Sequence, residues 1–260
     1  MAGKIKVRRA PPPAQFMRIA IVADIHANLA AFEAVLAHAE AQGPIDRLWC
    51  PGDIVGYGPD PGACIALVRR YPHVAVAGNH DLAAIGKIST SEFNETAARA
   101  AAWTAGQLTD EQRCYLEGLP EVARDGDFTL VHGSLRAPIW EYILSLPAAR
   151  EQFRLMETPY SVIGHSHVPF IAEEPAEGAP RLVLWQDGDS VALDEWRLVI
   201  NPGGVGQPRD GDPRAGYALY DSEARTITLH RVEYDVAATQ ERMRAAGLPD
   251  SLAERLTYGQ

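Results

Sequence analysis

The sequence predicts an α/β domain, and three observations predict it. From Arg18 to Ala77 apolar strand segments alternate with helical ones, in the order strand, helix, strand, helix, strand, which is the signature of parallel βαβ units. Beyond His167 the texture turns to β, in runs that alternate or stay apolar between turns such as Asp187-Gly188. The third observation concerns the polar residues between these runs. Asp24, His26, Asp53, Asn79, His80, His132, His165 and His167 each follow or close an apolar run, and ligands in such sheets gather at the carboxyl ends of strands.

Taken in order, Arg18–Ala23 is the first strand and 29–42 the first helix, with Leu29, Phe32 and Leu36 at helical spacing, Asn28 as N-cap and Gly43-Pro44 as terminator. Residues 46–50 form the second strand, 61–71 a helix capped by Asp60 with Pro61 at its first position, and 74–77 the third strand. From 89 to 119 the pattern is helical, broken by Gly106 and restarted at Thr109-Asp110-Glu111. The segment 83–119 is expected to form a helical cap over the site, where Asn94 and Arg99 either reach a ligand or stand in solvent. A strand at 127–132, a helix at 147–156 and a strand at 161–164 follow. Strands at 181–186, 190–200, 217–220 and 226–232 then read as an antiparallel sheet, and helices at 236–246 and 251–256 close the chain. The loop Asn201–Asp210 is glycine-rich but not a P-loop, having no Gly-Lys-Ser/Thr and no following helix. Its Gln207 and Arg209 are read either as phosphate contacts or as loop packing.

The stretch Pro51-Gly52-Asp53-Ile54-Val55-Gly56-Tyr57-Gly58 organises the rest. A Gly-Asp after a strand is by itself an ordinary turn. Other clusters change that reading: Asp24-Ile25-His26, Gly78-Asn79-His80-Asp81, Val131-His132-Gly133 and Gly164-His165-Ser166-His167. Residues two apart in extended chain share a side, so Asp24 with His26, and His165 with His167, present paired ligand atoms to one space. Carboxylates, an asparagine carbonyl and imidazoles make a mixed N/O transition-metal set. Five of the eight histidines lie in these clusters; His38 is read as a surface residue, His73 as lying in a connection with no ligand partner beside it, and His230 as structural.

In motif order the chain resembles the calcineurin-like metallophosphoesterase superfamily, with D-x-H, G-D, G-N-H, a later H and G-H-x-H all present between Asp24 and His167. The resemblance implies a four-layer αββα sandwich of two mixed β-sheets flanked by helices, with the metal site at strand C-terminal ends. Motif by motif it implies one metal held by Asp24, His26 and His167, a second by Asn79, His132 and His165, and Asp53 bridging the two. Two such ions activate water for in-line attack on phosphorus. The resemblance makes manganese the expected metal, with iron, zinc, cobalt or nickel as alternatives. His80 is left as the general acid. Protein phosphatases and symmetric dinucleoside tetraphosphatases typically continue G-D-x-V-D-R-G, whereas Gly56 and Tyr57 stand here at the Asp and Arg positions, so the chain falls nearer small bacterial phosphodiesterase-like members. Asp81 is read either as orienting His80 or as capping a turn. The expected activity is hydrolysis of a small phosphodiester or phosphomonoester. The alternatives are a protein phosphatase, a dinucleoside polyphosphate hydrolase, or a non-catalytic binding module such as the retromer subunit of this fold, which lacks the catalytic histidine.

Composition sets the limits. The chain has 260 residues, 47% of them hydrophobic, enough for one large core, and the reading is a flexible tail over 1–15 and a single domain over 16–260. Arginine and lysine number 24 against 34 acidic residues, a net −10, which argues against general binding to nucleic acid or to an acidic membrane surface. Bound metal supplies the local positive charge a phosphate needs. Three cysteines without C-x-x-C spacing, no apolar signal region near the N-terminus and no run of about 18 apolar residues point to a cytoplasmic protein.

Overall fold

The computed structural model describes residues 16–194 and 196–260; the tail expected over 1–15 lies outside the described residues. The first part of the chain runs β1 (Arg18–Ile21), α1 (Leu29–Ala41), β2 (Arg47–Cys50), α2 (Pro61–Arg69), β3 (His73–Ala75), α3 (Asn79–Ala84), α4 (Glu95–Gln107) and α5 (Asp110–Glu117). The middle is β4 (Val122–Asp125), β5 (Phe128–Val131), α6 (Leu146–Leu155), β6 (Tyr160–Val162), β7 (Pro169–Glu174) and β8 (Arg181–Leu184). The last part is β9 (Ser190–Ala192), β10 (Arg197–Pro202), β11 (Ala215–Asp221), β12 (Thr226–Val232), α7 (Val236–Ala245) and α8 (Asp250–Glu254).

The strands form two six-stranded mixed sheets, ordered β3-β2-β1-β11-β12-β9 and β4-β5-β6-β10-β7-β8. Side-chain alternation stacks them into four layers. Ile19, Ile21 and Trp49 of the first sheet meet Phe128, Leu130, Val162, Leu198 and Ile200 of the second in the central core. The intervening residues face outward: Ala20 and Leu48 pack against Phe32, Val35 and Ile65 of α1 and α2, and Val131 and Val199 against Ala149 and Phe153 of α6. Both faces of each sheet are therefore covered, which is why the central strands read as apolar runs rather than strict alternations.

Asn28 caps α1, accepting from the Ala31 N–H at 3.2 Å, and also donates to the Gly206 carbonyl at 2.9 Å, tying the helix start to the glycine-rich loop. Thr109 and Gln112 form a capping box on α5. Gly106 does not break α4, which runs on to Gln107. Asp60 is not a cap: its carboxylate pairs with Arg242 of α7 instead. The strands beyond His167 do not make a sheet of their own. β9, β11 and β12 extend the first sheet and β7, β8 and β10 the second. The run 190–200 is accordingly two strands, split where the Asp194 carboxylate accepts from the Trp196 N–H at 3.2 Å and the chain changes sheets. Two strands had no readable signal: β4 is a half-exposed edge strand of mixed polarity, and β7 opens on Pro169, which argues against a strand except at its first residue.

Candidate metal centre

In the first sheet β1, β2 and β3 are mutually parallel, and in the second β5, β6 and β10 are. Each of the six delivers one loop to the same place. Asp24 and His26 follow β1, Asp53 follows β2, Asn79 and His80 follow β3, His132 follows β5, His165 and His167 follow β6, and Gln207 and Arg209 follow β10. The structure thus brings together the seven residues nominated as metal ligands and His80. All eight of the nominated side chains are buried, Asn79 being the least so at 6% exposure.

The backbone is bent to aim them. Asp24, His26, Asp53, His165 and His167 have φ of 53°, 48°, 55°, 67° and 58°, in the left-handed region. Each such residue costs about 1–3 kcal/mol and persists only where its surroundings hold it. Gly56 is required for a related reason: its φ is +91°, and a Cβ there would sit 2.7 Å from His80 Nδ1.

Hydrogen bonds fix which atom each group offers. Nδ1 of His26, His132 and His167 donates to the carbonyls of Val55, Pro51 and Gln207 at 3.2, 2.9 and 2.5 Å, leaving each Nε2 lone pair free. His165 is reversed, because its Nε2 donates to the Trp140 carbonyl at 3.2 Å and Nδ1 is the open atom. The free nitrogens of His26 and His167 face each other at 3.1 Å. Asp24 Oδ1 accepts from the His165 N–H at 3.0 Å, and its Oδ2 is buried without a hydrogen bond. Asp53 Oδ1 accepts from the His80 N–H at 2.8 Å, while Oδ2 lies 3.6 Å from His26 Nε2 and 3.4 Å from His132 Nε2. Asn79 Oδ1 lies 3.0 Å from His132 Nε2. Ligand atoms of Asp24, His26 and His167, and of Asp24, Asp53 and His132, lie within 4.8 Å of one another. Lone pairs converging on an orphaned carboxylate oxygen, with tautomers set from behind, are the donor set of a divalent cation, so these residues fit a metal.

Electrostatics agree. Burial pushes Asp24 up to about 8 and Asp53 well above the carboxylate range, Asp53 further by the neighbouring Asp81 and Asp24. Burial pushes His132 down to about 3 and His165 to about 2, and holds His26, His80 and His167 well below the usual imidazole range. Neutral imidazoles beside carboxylates that resist ionisation make a pocket short of positive charge.

A cavity of about 150 Å³ opens above Asp53, Asn79, His165 and His167. His80 lines it, its Nδ1 buried without a partner and its ring 4.2 Å from Tyr57 and 4.7 Å from Phe93. Asp81 does not orient His80. Its carboxylate accepts from the Val55 and Gly78 N–H groups, each at 3.0 Å, and so pins the Asp53 loop to the start of α3. Arg209 is the one Lys or Arg lining the cavity among the described residues; Gln207 Oε1 accepts from it at 3.0 Å, and its guanidinium stands 5.8 Å from the Tyr57 ring. Asn94 also lines the cavity, but its side chain caps α4 through the Ala97 N–H at 2.9 Å. Arg99 is exposed and does not line it. The sequence reading passed over Tyr57, Phe93, Trp140 and Tyr142 as lining residues. The last three come from irregular segments whose place over the site only the tertiary fold decides. The loop after β10 had a readable signal, since Leu198-Val199-Ile200 followed by Asn-Pro-Gly-Gly repeats the strand-then-glycine pattern that precedes Asp53.

The fold and the buried carboxylate and imidazole set define a four-layer α/β sandwich whose strand ends carry a donor set that could hold divalent metal. The chain belongs to the calcineurin-like phosphoesterase superfamily, whose domain model matches residues 17–225. It is similar to a metallophosphoesterase from Sphaerobacter thermophilus, 48% identical with a TM-score of 0.85, over 95% of this chain and 100% of that one. An uncharacterized protein of Methanocaldococcus jannaschii is 35% identical over 93% of this chain and 98% of its own length. A symmetrical bis(5'-nucleosyl)-tetraphosphatase of Vibrio cholerae is 30% identical over 54% of this chain, which spans 52% of that relative's length. The family implies divalent metal ions, and the buried aspartates and histidines are placed to bind them.

Proposed function

We propose that the chain is a dinuclear metal-dependent phosphoesterase that hydrolyses a small phosphodiester or phosphomonoester. The observation that carries this reading is the convergence of six strand-end loops on one place, where seven metal-donor side chains are buried together and four of them, Asp53, Asn79, His165 and His167, line a cavity with His80 and Arg209 in its wall. Asp24, His26 and His167 would hold one ion and Asn79, His132 and His165 the other, and Asp53, whose Oδ2 lies 3.6 Å from His26 Nε2 and 3.4 Å from His132 Nε2, would serve both. When bound, the ions supply Lewis acidity for water activation and for neutralising phosphoryl charge. Manganese is the first choice for reconstitution, followed by iron, zinc, cobalt and nickel.

The chain's own groups do the rest. Asp81 and the left-handed turns keep the ligands in register before substrate arrives. His80 faces the cavity without touching the other imidazoles through hydrogen bonds, so it is free to hand a proton to the departing oxygen. Arg209 meets phosphoryl oxygens that the ions do not reach, seated on the tyrosine that occupies the arginine position of the protein-phosphatase motif. A charge-assisted hydrogen bond is worth about 1.5–3 kcal/mol. Arg209→Ala is therefore expected to lower kcat/KM by about 10- to 150-fold. Arg209→Lys recovers only part, since an ammonium cannot make the forked contact. Unchanged kinetics in both variants would remove Arg209 from the site's work.

A second reading, cleavage of a bis(5'-nucleosyl) tetraphosphate, draws on the Vibrio cholerae relative and on others named alike; Gly56 and Tyr57 weigh against it. The test is to saturate the protein with each metal, count ions by elemental analysis, and assay aryl monoesters and diesters, nucleotides, diadenosine tetraphosphate and phosphopeptides. Two ions per chain and turnover of small esters above phosphopeptides are expected. Absence of hydrolysis with every metal would leave the binding-module reading instead. A cytoplasmic setting suits three unpaired cysteines, two of them buried, in a structure with no helix long and apolar enough to cross a membrane among the described residues.

A further inference from the structure

We infer that Trp140, at the mouth of the cavity, stacks on the base of a nucleotide ester, so that this site selects phosphoesters carrying a nucleobase. The inference rests on the phosphoesterase reading and adds the class of substrate. Three aromatic rings from segments that contribute no metal-donor side chain line the cavity: Phe93, Trp140 and Tyr142. Trp140 and Tyr142 are 38% and 47% exposed, among the few large apolar side chains left open to solvent. Each is anchored. Tyr142 stacks on His165 with ring centres 3.9 Å apart and planes at 19°, and Trp140 meets Phe93 edge to face at 5.9 Å and 80°. Phe93 in turn lies against His80. Rings therefore stand both on the proton donor's side of the cavity, as Phe93 with Trp140, and on the His165 side, as Tyr142.

The cavity opens to solvent, and the two exposed rings stand where the group esterified to a bound phosphate leaves it. Aromatic side chains held rigid but exposed are poor partners for an alkyl chain's flexible solvation and good ones for a flat π-face; stacking of a base on such a ring is worth about 5- to 150-fold by alanine substitution. Glu141, between the two rings, does not compete for the ligand, because its carboxylate is engaged with Ser134 and Arg136. A sugar phosphate without a base would leave the rings uncovered.

Trp140→Ala is the informative substitution, since the carbonyl that receives His165 belongs to the backbone and survives it. The metal-loaded protein is assayed with adenosine 5'-phosphate and ribose 5-phosphate, and with the methyl diester of each. The wild type is expected to favour the adenosine member of the better pair by about 5- to 150-fold in kcat/KM. Trp140→Ala should abolish that preference, the adenosine compounds losing far more than the ribose compounds, and Trp140→Phe should retain most of it. If both members turn over equally in the wild type, or the preference survives in Trp140→Ala, the inference is wrong and the phosphoesterase reading stands. If no ester is hydrolysed the phosphoesterase reading fails. Dissociation constants of the same pair, by equilibrium dialysis with wild type and Trp140→Ala, then decide the base contact in the same way.

Discussion

Asp53→Asn is expected to cost the protein its metal and its activity while making the metal-free chain more stable. Asp53 Oδ2 lies between His26 and His132, one from each ligand group, so a neutral amide there weakens both ions. Losing an outer partner of a ligand costs about 10- to 100-fold in metal affinity, and losing a shared ligand should exceed that. Without metal the sign reverses. The Asp53 carboxyl sits well above the ordinary carboxylate range because it is buried beside Asp81 and Asp24. A group whose folded-state pKa is raised contributes stability that is present below the unfolded value and is lost as pH rises toward the folded one. The site histidines oppose this at lower pH, since their depressed values make the fold weaken as pH falls below about 6.5. Between about pH 6.5 and 8 those histidines are neutral in both states and only the carboxylates remain, Asp24 titrating near 8. Chelated wild type should therefore lose Tm across that window, and chelated Asp53→Asn should lose less and melt higher, its amide donating toward the two free imidazole nitrogens. Added metal should raise Tm of the wild type far more than of the variant. A variant that retains two ions per chain, or melts lower than wild type in chelator, contradicts the shared-ligand assignment.

His80→Ala is expected to leave two ions per chain in place and lower kcat by about 10²- to 10⁴-fold on esters with poor leaving groups. The ring hydrogen-bonds to no metal-donor side chain and meets His26 only edge to face at 4.9 Å; Asp53 receives the His80 backbone N–H, and that bond survives the substitution. Burial first, then the positive charge of Arg209, and last the neighbouring His165, keep His80 well below the ordinary imidazole range. It becomes a proton donor only when an anionic substrate beside it offsets those effects. The loss should follow the leaving group. A nitrophenolate departs without a proton and an alkoxide does not, so the variant should lose far more on an alkyl or nucleoside ester than on a nitrophenyl ester. Equal losses on both, at equal metal content, would make His80 a positioning residue for phosphate.

The central architecture and the donor set were legible in the sequence because the same physics writes both. Parallel strands covered on both faces must be apolar runs, and the residues that close them must be polar where six strand ends meet, so Asp24, Asp53 and His132 stood out once the clusters were read together. The capping by Asn28 and Thr109 was equally local. What escaped depended on distant partners. Asp60 has the position of a cap, yet its carboxylate is drawn to Arg242, which no local pattern connects to it. Asp81 looked able to reach His80 from the next position, but helical geometry turns it back onto Val55 and Gly78. Trp140 carries no periodicity, and its meaning comes from standing over a cavity whose floor lies in other loops.

The six parallel strands give the molecule a chemical polarity. Every loop at their carboxyl ends is committed to the site, down to single backbone angles. The connections at their amino ends carry no such duty. A Cβ at Gly126 in the β4–β5 turn would have nothing within 4 Å and one at Gly178 beyond β7 only a Pro175 side-chain atom at 3.8 Å, and residues 176–179 and 223–225 are exposed. Insertions, labels or fused domains placed at that end enter solvent and leave the site loops untouched, whereas a one-residue change in length at the other end moves a ligand. Sequence drift should accordingly accumulate at one pole of the fold and be purged at the other, so that the two ends of a single domain age at different rates.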